Sequence, residues 1–277
     1  QGTLFGASSM SGAIRLIPNE PVFDEFQASV SASGFATEDG SDSYMGHGML
    51  NLPVNDRFAL RGVAYNISNG GYIDNIYSGE DDFNDETITG GRLAGLWDVT
   101  DTLSAKTTVM YQTMDSGGRP QEQRLNDPAE TTTGNGYDLA LPSETLDQLV
   151  ITDERQNVKF VDNEFEDEFV LISQQFDLEL ERFSITSITS YFDREMENTL
   201  DDTRRTRNLL GLANSFGASG VPVFALGDFD PVTLEGAIPL RQVDLENHTE
   251  NEKFTQELRV NSRFTGPLNF VAGVYYE

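Results

Sequence analysis

The chain has 277 residues, with 46 Asp and Glu against 18 Lys and Arg, a formal charge of -28 and no cysteine. That balance repels nucleic acid, and the missing thiols exclude both a disulfide framework and a thiolate metal site. No apolar run approaches the roughly 18 residues of a transmembrane helix, an absence that leaves strand-built membrane proteins open.

The chain opens on a glycine-punctuated segment, Gln1 to Pro18, with Gly2, Gly6 and Gly12 permitting tight turns. It closes in a short apolar run, Gly12 to Ile17, stopped by Pro18. After Pro21 the sequence becomes a series of strand-like runs. Phe26–Ser33 alternates strictly, with Phe26, Ala28, Val30 and Ala32 on one face and Gln27, Ser29, Ser31 and Ser33 on the other. Tyr44–Leu52, Phe58–Ser68, Thr87–Asp98 and Leu103–Thr113 follow, then Phe165–Asp177, Phe183–Asp193, Phe254–Ser262 and Leu268–Tyr276. These predict about nine strands. Leu103–Thr113 and Phe254–Asn261 separate their faces cleanly, which assigns Lys106, Glu257 and Arg259 to a polar face. Phe58–Ser68 is mixed, because Arg61 shares a face with Val63 and Tyr65, and Phe183–Asp193 shows no decisive face.

The connections carry more information than the strands. Pro53–Arg57, Val99–Thr102, Leu178–Arg182 and Phe264–Pro267 are short, whereas Phe35–Ser43, Asn69–Glu86, Met114–Asp162 and Met196–Glu250 are longer, and the two kinds alternate. Alternation gathers the short turns at one end of the sheet and the long loops at the other, the layout of an outer-membrane barrel. A soluble sandwich has no reason to be so lopsided, and structureless loops this long are unusual in compact domains.

Several stretches resemble one family. Gln1–Leu4, Gly6 and Gly12–Ile14 match the end of the plug domain of TonB-dependent outer-membrane receptors, with Phe5 for the usual Tyr, Ser11 for a Gly and Arg15-Leu16 for Asn-Ile. Phe58-Ala-Leu-Arg-Gly62 with Asn69-Gly-Gly-Tyr-Ile-Asp-Asn75 is similar to the early barrel. Phe254-Thr-Gln-Glu-Leu-Arg259 and Asn269-Phe-Val-Ala-Gly-Val-Tyr275 are similar to a later strand pair. The matches span nearly the whole chain in family order. The resemblance implies an all-β fold, an antiparallel transmembrane β-barrel of which about nine of 22 strands are present. Residues 1–20 would be the end of the plug and 21–277 the N-terminal part of the barrel, with long extracellular loops at about 114–162 and 196–250.

The start at Gln1 and the stop at Glu277 inside a strand-like run read as the limits of a fragment. The resemblance further implies a Gram-negative outer-membrane receptor that imports a scarce nutrient, most often a ferric siderophore. Energy would come from the TonB complex acting through plug residues outside this chain, and the other partner is outer-membrane lipid. No catalytic residue and no cofactor is expected. A different cargo, an oligosaccharide or cobalamin, fits the same barrel. A passive porin disagrees with the plug-like opening. A soluble secreted all-β carbohydrate-active protein would draw on carboxylates such as Glu164, Glu166, Asp167 and Glu168, but clusters of that kind arise by chance in so acidic a chain.

His47 and His248 are the only histidines, far apart and without companion ligand spacing, and read as ordinary polar residues. Asp81–Glu86 is rich in hard oxygen ligands but lacks the glycine and ligand order of a calcium loop, so a solvated acidic loop is the expectation. The one dense basic cluster is Arg204, Arg205 and Arg207, directly after Asp201-Asp202. Its plainer reading is a self-neutralising loop patch. The functional reading makes it a set of donors for an anionic ligand at the barrel mouth.

Overall fold

The computed structural model describes residues 17–118, 154–202 and 244–277. Among these there is no helix. Nine strands form one antiparallel sheet: β1 (Gln27–Phe35), β2 (Ser43–Asn55), β3 (Phe58–Asn69), β5 (Glu86–Asp98), β6 (Leu103–Ser116), β8 (Phe165–Glu179), β9 (Phe183–Asp201), β10 (Asp244–Ser262) and β11 (Val271–Tyr276). Two short segments, β4 (Asp74–Asn75) and β7 (Gln156–Asn157), pair in parallel as a separate ribbon. Each strand of the large sheet pairs with its sequence neighbours, so successive connections fall at alternate ends. Residues 56–57, 99–102, 180–182 and 263–270 turn at one end. Residues 36–42, 70–85, 117–164 and 202–243 connect the strands at the other, as the loop lengths predict. The sheet is open, with β1 and β11 as its two edges.

Register resolves the faces that the sequence left mixed. The row Leu50, Gly62, Leu93, Val109, Ile172, Tyr191, Phe254 crosses seven strands on one face. The row Lys106, Gln175, Ile188, Glu257, Tyr275 crosses the other. Arg61, Val63 and Tyr65 lie on this second, polar face beside Arg92, whose strand partner is Val63. The apolar face carries exposed large side chains, among them Leu93, Trp97, Val109, Ile172, Phe176, Phe254 and Leu258.

The usual distribution of burial is inverted. Among the described residues the buried hydrophobics are Ala59, Ile73, Phe83, Ala94, Val158 and Phe160. Only the two alanines belong to the large sheet, and the four larger side chains sit in the end connections. A sheet that leaves its apolar face uncovered while packing its loops has the amphipathic logic of a strand-built membrane wall.

The two largest departures from the sequence reading are in β9 and β10. Phe183–Asp193 extends to Asp201 and Phe254–Ser262 begins already at Asp244, so β9 and β10 have 19 residues each. The expected loop 196–250 shrinks accordingly. Pairing continues without interruption from Tyr191–Phe254 to Asp201–Asp244. The few apolar side chains here, Met196, Leu200 and Leu245, fall on the face opposite the apolar row, so the backbone ladder continues where the apolar alternation does not.

Candidate functional site

The polar face holds the end of the N-terminal segment. Asn51 of β2, fully buried, donates from Nδ2 to the Val22 carbonyl (3.0 Å) and the Glu25 carbonyl (2.8 Å), and its Oδ1 accepts from the Val22 amide (3.0 Å). Arg92 of β5 donates to the Asn19 carbonyl (3.1 Å), and Lys106 of β6 pairs with Glu20. Residues 19–25 are therefore stitched across β2, β5 and β6 on the face opposite the apolar one. A polar amide suits this place because it satisfies both a donor and acceptors of an irregular backbone. Asn51→Ala would leave three backbone groups unpaired and cost about 1–3 kcal/mol. The check is a lowered urea midpoint of the detergent-solubilised protein, with Asn51→Asp intermediate. The expected plug-end run Gly12–Ile17 lies outside the described residues except for Ile17.

At the long-loop end the connections pack into a plate built around the motif Asn69–Asn75. Gly70 and Gly71 lie against neighbouring backbone: a methyl group at Gly71 would overlap the Asp82 carbonyl, and one at Gly70 the Ser41 carbonyl. The next two amides, Tyr72 and Ile73, both donate to Asn84 Oδ1 at 2.8 Å. Ile73 is fully buried, and its carbonyl accepts from Phe83 N (2.8 Å). Asp74 accepts from the Asp82 amide (3.1 Å). The Asn75 side chain bridges Lys159, accepting from its amide and donating to its carbonyl, both at 3.0 Å. Val158 and Phe160 complete the cluster against Ile76 and Tyr77. Each residue from Gly70 to Asn75 thus has a backbone or packing task. Asp39, Asp82 and Arg155, three non-glycine residues with positive φ, all lie in these connections. Arg155 also donates to the Glu38 and Asp39 carbonyls and sits 6.0 Å over the Tyr72 ring, tying the first loop to the third.

The plate corrects the reading of Asp81–Glu86 as a solvated acidic loop. Phe83 and Asn84 are buried. The Asn84 oxygen that a calcium ion would need is taken by two amides, and Asp82 accepts from the Ser41 hydroxyl at 2.6 Å. The carboxylates of Glu164–Glu168 do not converge either. Asp167, 8% exposed, is held by Arg194 Nε (2.8 Å) and an Arg194 terminal nitrogen (2.6 Å) on the polar face. Glu166 and Glu168 belong to the opposite face. Arg204, Arg205 and Arg207, the expected ligand donors, lie outside the described residues; they follow β9 where it ends among the long loops.

The sequence reading missed the surroundings of His248. On the β9–β10 extension its Nδ1 lies 3.2 Å from Glu197, and its Nε2 lies 3.1 Å from Glu250 and 3.7 Å from Glu195. The Glu250 carboxylate, with Glu197 and Glu195, holds the imidazole pKa above its ordinary value against the opposing effect of desolvation. The sequence signal was the shared parity of 195 and 197 and of 248 and 250, legible only once the two strands are known to pair. His47 lies on the other side of the sheet, opposite Tyr65.

No family model and no curated protein matches the sequence. Among solved structures, 99% of the chain aligns with the ferric-catecholate import receptor Fiu from E. coli K12, with a TM-score of 0.61 for the open form and 0.59 for the closed form, at 13% identity to each. The chain spans 37% and 34% of those chains, about a third of their length. Likeness at this identity is a likeness of fold alone: the nine-stranded antiparallel sheet matches part of each of those chains.

Proposed function

We propose that this chain is a portion of a TonB-dependent receptor of the Gram-negative outer membrane, comprising the end of the plug (residues 1–20) and the first nine strands of the barrel. Its activity is import of a scarce nutrient, with a ferric siderophore the best-supported cargo. The observation that carries this reading is the apolar-out sheet whose polar face holds the incoming segment 19–25 while the packed plate caps the long-loop end. The likeness to ferric-catecholate import receptors supports it at the level of fold.

In this reading the apolar face meets lipid, the polar face lines a plugged lumen, and the plate and long loops form the extracellular mouth. The work is binding and gating. Cargo is captured at the mouth, and a pull from the TonB energy-coupling complex on the plug opens a path along the polar wall. The chain makes and breaks no bond in doing so.

The test is uptake of radiolabelled ferric catecholate by iron-starved cells carrying the whole protein, with and without TonB. Uptake that survives loss of TonB would make the protein a passive pore, and uptake of a different cargo alone would keep the class and change the ligand. Within the same assay, Arg204, Arg205 and Arg207 are assigned to capture of the anionic complex, because an otherwise acidic mouth repels it. The triple Ala variant should weaken binding about tenfold or more and flatten its dependence on salt. Unchanged binding would leave the cluster a self-neutralising patch.

A further inference from the structure

We propose that His248, Glu195, Glu197 and Glu250 form a site for a divalent first-row transition-metal ion on the outer face of the β9–β10 extension. The four residues form a two-by-two array fixed by backbone pairing: His248 opposes Glu197, Glu250 opposes Glu195, and each strand contributes two residues separated by one. Period-two alternation therefore puts all four on one face. Donor atoms of Glu195, Glu197 and His248 lie within 4.8 Å of one another, so rotamer adjustment alone can close them around one ion. Pairing runs unbroken on both sides of the array, so its backbone is preset.

The donor chemistry selects the ion. One imidazole nitrogen and three carboxylates suit Zn²⁺ or Mn²⁺ better than the all-oxygen shells of Ca²⁺ and Mg²⁺. The charge in and around the array points the same way. Glu195 opposes Glu168 as well as Glu250, Glu197 opposes Glu166, and Asp193 opposes Glu252. Like charges directly opposed across a ladder are destabilising. Among the described residues, register places no Lys or Arg on this face of the extension, and Arg194 is turned to Asp167 on the other. A single imidazole among that many carboxylates leaves negative charge uncompensated, and a bound dication relieves it. The array also lies beyond Tyr191 and Phe254, the last large apolar residues of the outward row, so an ion reaches it from water.

The experiment is isothermal titration of the detergent-solubilised full-length protein with Zn²⁺, and with Ca²⁺ in parallel. Co²⁺ absorption spectra provide a readout of nitrogen ligation. One Zn²⁺ should bind per chain. His248→Ala should weaken that binding at least about tenfold and abolish the nitrogen-dependent Co²⁺ bands, since even indirect ligand support is worth about 10–100-fold. Glu195→Gln/Glu197→Gln should weaken it similarly, and His47→Ala should leave it unchanged. All variants should keep the wild-type heat-dependent gel shift. Zn²⁺ binding unaffected by His248→Ala, or Ca²⁺ binding as tightly as Zn²⁺, would overturn the proposal and leave a solvated acidic face. No outcome depends on what the receptor imports.

Discussion

Ile172→Arg should lower the stability of the membrane-embedded protein by about 2–4 kcal/mol, whereas Ser173→Arg, one residue along, should be tolerated. Ile172 stands in the middle of the apolar row, between Val109 and Tyr191, and is 45% exposed. A guanidinium there faces hydrocarbon in the proposed reading, with no partner in reach. Ser173 points to the other face, between Thr108 and Ser190, where water or the plug meets it. The measurement is the urea midpoint in lipid vesicles, with yield in the outer membrane as a second readout. Equal tolerance of both changes would mean that the apolar face does not meet lipid. A large loss at 173 with none at 172 would reverse the two faces.

Gly71→Ala should break the loop plate while leaving the sheet intact. The added methyl overlaps the Asp82 carbonyl, a backbone atom that cannot turn aside as a flexible side chain would. Relieving the overlap moves residues 71–73 away from Asn84 and uncovers Ile73, at about 3 kcal/mol of local stability. The expected signature is faster tryptic cleavage after Arg155 and Lys159 with an unchanged heat-dependent gel shift. In the proposed reading uptake should fall steeply as well, because there the plate forms much of the mouth. Wild-type cleavage kinetics would show that the motif glycine is replaceable and the plate more pliant than its contacts imply.

How much of this was legible in the sequence depended on which physical signal each part carries. The nine strands and the alternation of their connections were legible because one apolar face imposes a period of two and because turns and loops differ in length. Arg61 blurred β3, since a single cation among Val63 and Tyr65 has no face until its neighbours Arg92 and Lys106 are paired beside it. The outer parts of β9 and β10 were not legible, because their ladder is a backbone property and their few apolar side chains, Met196, Leu200 and Leu245, sit on the face opposite the apolar row. The plate was half legible. The motif Asn69–Asn75 stood out as a family pattern, but the partners that give it meaning, Asn84, Val158 and Lys159, belong to two other stretches of chain. His248 was visible as a histidine, and its carboxylate neighbours only through register.

The two kinds of pairing in the molecule also differ in the order in which they can be made. Every partnership in the large sheet joins strands adjacent in sequence, so it can grow hairpin by hairpin with modest loop closure at each step. The β4–β7 ribbon is the exception, since Asp74 meets Gln156 only after β5 and β6 have been laid down between them. Non-local pairing of this kind is intrinsically late, because its closure entropy is lost before its contacts return anything. The plate thus acts as an assembly latch. Its Asn75–Lys159 bridge closes across the span that holds β5 and β6, so a sealed plate reports that this part of the wall has been laid down beneath it.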